Sequence, residues 1–208
     1  VANFYAEFMA TLHVLGIDVK IYPIPVEVAD PVPFVEDTQY GAYDGEYVHR
    51  FWRVLLWTDG VFKQFRGRFI GKKSPVHFFW GAMDIATSRF SGQRAPEREW
   101  QPELAKIMRE GYSHEVSSVG FWAGGSGHDA AFYAYHVPEH DGYRDAQVQP
   151  KAAYYDPQLG EFLLPYVALR QSKTPEADLL AFLQSTYEAG ANAAGWDRAI
   201  LERQDGVS

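Results

Sequence analysis

The sequence predicts an α+β fold, a curved and mainly antiparallel sheet with helices packed against it. Long segments repeat apolar residues every three or four positions, which is typical of amphipathic helices. Much of the chain between them consists of shorter segments rich in aromatic and β-branched residues, which favour strands. The sequence shows no internal repeat, no low-complexity tract and no clear linker. We therefore expect residues 1–208 to form one domain.

The N-terminal part of the chain predicts a helix, a strand and a loop, in that order. From Asn3 to Leu15, apolar residues share one side at helical spacing. They are Phe4, Phe8, Leu12 and Leu15. Apolar and charged residues alternate at the start of Ile17–Val28, which predicts a strand, and its two prolines place it at a sheet edge or at its own end. Residues 29–43 indicate an ordered loop.

Two longer helices are predicted. The apolar stripe of Glu46–Phe69 recurs at alternating intervals of three and four residues, with Thr58 as its one polar member. The stripe consists of Val48, Phe51, Leu55, Thr58, Phe62, Phe65 and Phe69. Thr174–Ala194 predicts the last helix, because Thr174 is a suitable N-cap and Pro175 suits the first helical position.

The strands are predicted mainly between these two helices. Three segments are rich in aromatic and β-branched residues: Val76–Phe90, Ser113–Trp122 and Ala130–Val137. A polar, proline-marked stretch separates the first two and favours a short helix at Pro102–Arg109. Residues 152–155 and 161–166 flank a five-residue turn, which predicts a hairpin.

Composition excludes several classes of function. The net charge of −8 and the lack of a basic stripe disfavour binding to a nucleic-acid backbone. No apolar run reaches the roughly 20 residues that span a bilayer, so no membrane partner is expected. The absence of cysteine removes disulfides and thiolate chemistry and fits a reducing compartment. We expect a cytoplasmic protein.

Val76–Phe90 carries the first set of candidate site residues. In a regular strand, His77 and Arg89 share one face, whereas Trp80 and Asp84 share the other. Both faces are largely apolar, so the strand is expected to be covered on both sides. A carboxylate among aromatic residues either pairs with a cation or has its pKa raised by desolvation, and the second case is how a general acid or base is made. The structural interpretation of Asp84, a carboxylate bonded to backbone, stays beside the catalytic one.

Ser113–Trp122 carries the second set. His114 and Glu115 are neighbours in sequence and therefore point to opposite faces of a regular strand. Each can join a residue of the His77 strand, or each can be a structural group. The sequence contains no HExxH or HxH motif, and Pro138 interrupts the pair His136 and His140, so no local metal motif is predicted. A non-local site, such as His77 with His114 and a carboxylate, stays open.

Several long strings in the chain are similar to one protein family. They are FYAEFM, FRGRFIGKKSPVHFFWGAMDIATSRFSGQRAP, YSHEVSSVGFW, AAYYDPQLGEFLLPY and LLAFLQSTYEAGANAAGWDR. Together they resemble the bacterial DUF5996 family of unknown function over nearly the whole chain. The resemblance implies no activity. It implies that members are longer at the N-terminus, so that this chain corresponds to their C-terminal portion.

The sequence favours an enzyme or a small-molecule-binding protein with an aromatic-lined pocket, because aromatic residues make up 16% of the chain. The expected catalytic groups are Asp84, His77, His114 and Glu115. The expected ligand-binding groups are Trp80, Arg89, Trp122 and Tyr135, with Arg89 holding an anionic group. Two alternatives stay open: a non-catalytic module for an apolar ligand, and a structural or interaction protein. The sequence specifies neither a cofactor nor an oligomeric state.

Overall fold

The computed structural model describes residues 1–25, 28, 30–100, 105–125 and 127–203, and its helices and open antiparallel sheet confirm the α+β fold class. Its strands are β1 (His77–Phe79), β2 (Asp84–Arg94), β3 (His114–Trp122), β4 (Ala131–Val137), β5 (Tyr154–Asp156) and β6 (Glu161–Pro165). Its helices are α1 (Ala2–Val14), α2 (Gly45–Gly67), α3 (Ala105–Gly111), α4 (Tyr166–Gln171), α5 (Pro175–Ala193) and α6 (Arg198–Leu201). None of the helices described is long and apolar enough to cross a bilayer.

The chain divides into two compact units: Val1–Phe51 with Trp80–Ala82, and Trp52–Phe79 with the chain from Met83 onward. In the first unit, α1 confirms the predicted helix to within one residue at each end. No residue of α1 is buried, however, and Phe4 on its predicted apolar side is 74% exposed. The predicted strand at Ile17–Val28 is wrong for its described residues, because residues 17–25 form no strand.

Asp37 organises the loop of this first unit. Its carboxylate accepts hydrogen bonds from the backbone N–H groups of Gln39 and Tyr40, at 3.2 and 3.0 Å. Its backbone carbonyl accepts a hydrogen bond from the N–H of Ala2, at 2.8 Å. These bonds satisfy backbone donors that no strand or helix pairs, so residues 30–44 are ordered without regular secondary structure, as predicted.

The second unit contains a sheet whose strands run in the order β1-β2-β3-β4-β6-β5, all neighbours antiparallel. The predicted hairpin is confirmed as β5 and β6, and α2, α5, β3 and β4 follow their predicted spans within about two residues. The predicted helix near Pro102–Arg109 is present as α3, and its residues 102–104 lie outside the described chain.

The segment Val76–Phe90 is a hairpin rather than the single strand predicted. A turn at residues 80–83 reverses the chain, and Met83 adopts a positive φ of 55° there. Phe79 then pairs with Asp84, and His77 pairs with Ala86. Directly paired residues of antiparallel strands share a face, so the turn brings His77 and Asp84 to the same side of the sheet. The expectation that they point to opposite sides was wrong for this reason.

The two faces of the sheet differ in what covers them. We call the face that packs against α5 the core face, and the opposite one the outer face. Core-face residues alternate along the strands with outer-face residues, as strand geometry requires. The buried apolar residues of the core face are Ile85, Val119, Phe121, Phe132, Ala134, Phe162 and Leu164. From the helices, α5 supplies Leu179, Phe182, Leu183 and Tyr187, and α2 supplies Phe62 and Phe65.

Arg89 lies inside this core. It is 1% exposed, and its guanidinium carbon is 3.4 Å from the ring centre of Phe65 and 4.3 Å from that of Tyr187. One Nη atom donates a hydrogen bond to the backbone carbonyl of Phe65. Burial lowers the pKa of Arg89 to about 10, and the group stays charged at neutral pH. A cation enclosed by ring faces therefore joins β2 to α2 and α5.

We expect Arg89→Ala to lower the free energy of unfolding by about 3 kcal/mol, because it leaves a cavity between aromatic rings and an unpaired carbonyl. Urea unfolding measures the change. The exposed Arg170 in α4 provides the control, since Arg170→Ala removes the same atoms from the surface and should leave the midpoint nearly unchanged. Equal effects of the two substitutions would contradict a core role for Arg89.

Candidate functional site

A cavity of about 240 Å³ opens on the outer face, where β4, β5 and β6 meet the loop that follows β3. Aromatic and acidic side chains make up much of its wall. They are Trp122, Tyr133, Tyr154, Asp129, Asp156 and Glu161. We call this space the outer cavity. Ligand sites combine aromatic walls with a few polar groups in this way, so the cavity is the candidate site.

Tyr133 connects the outer cavity to the predicted residue Asp84. The Tyr133 hydroxyl donates a hydrogen bond to the Asp84 carboxylate, from β4 across β3 to β2. Gly120 of β3 makes the contact sterically feasible, because a Cβ at this position would overlap the Tyr133 ring. Burial raises the pKa of Asp84, while the bond from Tyr133 acts in the opposite direction. Burial also raises the pKa of the Tyr133 hydroxyl, which stays protonated as the donor.

Glu161 is the strongly perturbed carboxyl group of the cavity. Burial, followed by the nearby negative charges of Asp84 and Asp156, raises its pKa to about 7. Asp156 pairs directly with Glu161 across the β5–β6 hairpin. Like charges at directly opposed strand positions repel, so the charge of Asp156 disfavours ionisation of Glu161. No described residue donates a hydrogen bond to Glu161 that would offset this repulsion.

A second cavity, of about 320 Å³, lies beside the first and shares Glu161 and Leu159 with it. Tyr112 and Tyr135 both line it, and their hydroxyl groups form a hydrogen bond of 2.9 Å. Trp100 stacks on Tyr112 with ring centres 5.2 Å apart. Glu161 therefore lies at the boundary of two aromatic-lined spaces.

Four of the eight predicted site residues lie on the outer face, and two of them, Trp122 and Tyr135, line these cavities. Asp84 pairs directly with Trp122, whose ring forms part of the outer-cavity wall. His77 lies on the same face and is exposed, with its ring 4.4 Å from that of Phe79. Tyr135 lines the second cavity. The structure thus brings together Asp84, Trp122 and His77, with Tyr135 one cavity away.

The other four predicted residues lie elsewhere. Arg89 is enclosed in the core and is 1% exposed. Glu115 is buried on the core face. His114 lies at the opposite end of β3 from Trp122, about 26 Å away at roughly 3.3 Å per residue. Trp80 lies in the β1–β2 turn and is 84% exposed.

Glu115 forms a separate cluster on the core face. Its carboxylate accepts hydrogen bonds from Trp196 Nε1 at 2.7 Å and from Ser91 Oγ at 3.1 Å. His140 Nε2 lies 3.7 Å from the same carboxylate. The ring of His136 packs so closely on α5 that a Cβ at Gly190 would overlap it, and burial lowers the His136 pKa. The bond from Trp196 joins the chain after α5 to the sheet.

The residues that sequence reasoning missed are Tyr133, Asp156 and Glu161. Strand alternation in β6 does place the Glu161 side chain on the face away from the core residues Phe162 and Leu164. The predicted hairpin also has an acidic residue on each side of its turn, Asp156 and Glu161, and this pattern could have indicated that the two carboxyl groups lie together. Asp84 of β2 and Tyr133 of β4 gave no such signal, because their closeness to Glu161 depends on the order of strands in the sheet.

The arrangement can transfer protons and bind polar ligands. A carboxyl group with a pKa near 7 is suited to both accept and donate a proton at neutral pH. Within the described ranges, no group of three or more His, Asp or Glu side chains is placed to hold a metal ion.

A comparison with protein-family models matches residues 1–203 to DUF5996, a family of unknown function. The search of curated proteins finds no match, and the search of solved structures finds none either.

We expect Tyr133→Phe to lower the free energy of unfolding by about 2 kcal/mol at pH 7, because it removes the side-chain donor of the buried Asp84 carboxylate. Urea unfolding measures the loss. Tyr154→Phe is the matched control, since Tyr154 is half exposed and its hydroxyl makes no such bond. A loss no larger than that of the control would contradict the importance of this hydrogen bond.

Glu161 is also expected to make stability depend on pH. The folded protein keeps the Glu161 proton up to about pH 7, whereas an ordinary glutamate releases it near 4.5. The stabilisation is therefore complete below about pH 4.5 and is lost as the pH rises to about 7. In urea unfolding across this interval, Glu161→Gln should reduce the decline in unfolding free energy, and Asp141→Asn at an exposed site should not. Equal declines in all three proteins would show that Glu161 titrates normally.

Proposed function

We propose that this chain, which belongs to the DUF5996 family, binds a small molecule in the outer cavity and exchanges a proton with it through Glu161. One observation carries the proposal. Glu161 lies in the wall of an aromatic-lined cavity, and its pKa is raised to about 7. Perturbed carboxyl groups in such cavities are typical of general acids and bases.

The supporting residues have distinct roles in this proposal. Asp84 contributes negative charge that raises the Glu161 pKa, and Tyr133 holds the Asp84 carboxylate in place. Trp122 provides an apolar wall for the ligand. Tyr135 extends the lining into the second cavity. His77 is exposed on the same face, and we propose that it relays a proton to solvent.

We assign Arg89 and Glu115 to the core instead. The guanidinium of Arg89 is stacked on aromatic rings, and the Glu115 carboxylate already accepts hydrogen bonds from Trp196 and Ser91. Both groups are buried, so a ligand in the outer cavity cannot contact them.

The rival function is binding without turnover. It is favoured by the bond from Tyr133, which engages Asp84, and by the absence of His77 and His114 from the lining of the outer cavity. Glu161 discriminates between the two, because a binding module does not need a carboxyl group that titrates near neutral pH.

The setting that we propose is the bacterial cytoplasm. A chain of 208 residues without cysteine suits a reducing compartment. Its net charge of −8 also supports a small molecule rather than a nucleic acid as the partner.

NMR tests the proposal directly. The side-chain carboxyl carbon of Glu161 should titrate with a midpoint near 7, and a midpoint below about 5 would overturn its acid–base role. Addition of a mixture of small aromatic fragments should shift signals of Trp122, Tyr133 and Glu161. Ala131→Phe should abolish these shifts by filling the cavity, whereas Ala152→Phe at an exposed position should not. Fragment shifts confined to other surfaces would contradict the site.

A further inference from the structure

We propose that the ligand of the outer cavity carries a protonated amine. This inference rests on the function proposed above and names the chemical class of its ligand. The cavity wall contains the carboxylates of Asp129, Asp156 and Glu161, and no lysine or arginine is among its described lining residues. His128 is the one basic side chain of that lining. The wall therefore carries an excess of negative charge, which favours a cation and repels an anion.

The aromatic side chains of the wall support the same ligand class. Trp122, Tyr133 and Tyr154 all line the cavity, and aromatic ring faces attract cations electrostatically. Trp122 and His128 lie with ring centres 6.0 Å apart, so two neighbouring rings contribute to the wall on this side. A site that combines ring faces with carboxylates can contact both the methylene groups and the charge of an ammonium ligand.

A neutral apolar ligand fits the cavity less well. It would remove water from carboxylates without giving them a donor, and burial of an unpaired charge is costly. An ammonium group supplies donors to the carboxylates, and charge-assisted hydrogen bonds are the stronger ones. Glu161, which no described residue supplies with a donor, is the group that gains most.

The second cavity shows that this charge pattern is local. Its lining includes Arg98 together with Glu139 and Glu161, so its charges are mixed. Asp84 lies behind Tyr133 and adds to the negative potential at Glu161. The cation is therefore expected in the outer cavity, with any extension of the ligand reaching past Glu161 towards Tyr135 and Trp100.

The size of the cavity limits the ligand. At the ~30 Å³ that a water molecule occupies in the liquid, 240 Å³ holds on the order of eight non-hydrogen atoms. A ring with a short aminoalkyl arm is of this size, so benzylamine is a suitable probe. Benzyl alcohol and benzoate match it in shape and differ in charge.

Titration of the full chain with each probe at pH 7.5, followed by amide NMR, tests the proposal. Benzylamine should shift the signals of Trp122, Tyr133 and Glu161, with an affinity about tenfold higher than that of benzyl alcohol. Benzoate should produce no shifts there. A bound cation also favours the ionised carboxylate, so benzylamine should move the Glu161 titration to lower pH.

Substitutions in the cavity wall distinguish recognition of the amine from recognition of the ring. Glu161→Gln should weaken benzylamine about tenfold and leave benzyl alcohol unchanged. Asp129→Asn should weaken benzylamine in the same direction, and the exposed control Asp141→Asn should not. If the probe binds but Glu161→Gln leaves its affinity unchanged, the amine is not recognised by this carboxylate and the proposal fails.

The outcomes distinguish this inference from the function on which it rests. If benzyl alcohol or benzoate binds as tightly as benzylamine, the proposal of an amine ligand is wrong, and the cavity is still a ligand site. Absence of any shift with benzylamine would also overturn the proposal of an amine ligand. A normal Glu161 titration midpoint would instead remove the acid–base role, whatever the probes show.

Discussion

The sheet has two faces, and α5 and α2 cover only one of them. This constraint determines where the chemistry of the molecule can lie, because side chains of successive strand residues alternate between the faces. The core face takes the aromatic and aliphatic side chains and the enclosed guanidinium of Arg89. The outer face takes the hydroxyls of Tyr133 and Tyr135 and the carboxylates of Asp84 and Glu161. A single-residue slip of register would exchange these two sets.

The acids of the outer face differ in their environments although they are the same functional group. Asp84 has a hydrogen bond from Tyr133 that favours its charged form, whereas Glu161 has no described donor. Asp156 accepts two backbone N–H bonds from the turn of its own hairpin, at 2.8 and 3.2 Å. Burial raises the pKa of both Asp84 and Glu161, and the Glu161 pKa reaches about 7 because no described donor offsets its burial.

Sequence patterns were informative wherever local periodicity determines structure. They identified α1, α2, α5, β3, β4 and the β5–β6 hairpin, all of which follow from the spacing of apolar residues and from turn chemistry. They failed at residues 80–83, where an apolar run continues through a turn and hides a reversal of the chain. They also identified Asp84, Trp122 and Tyr135 as residues of interest but not their shared partner Glu161. That residue meets them through strand order, a long-range property that spacing does not encode.

The ring of Tyr133 fills the space that a side chain at position 120 would occupy. The missing side chain at position 120 is the space in which the Tyr133 ring lies against β3. The two positions are therefore constrained as a pair: a larger residue at 120 is compatible with the sheet only when the residue at 133 is smaller or turned away. Among related sequences, these positions should covary, and loss of the glycine should coincide with loss of the hydroxyl that reaches Asp84.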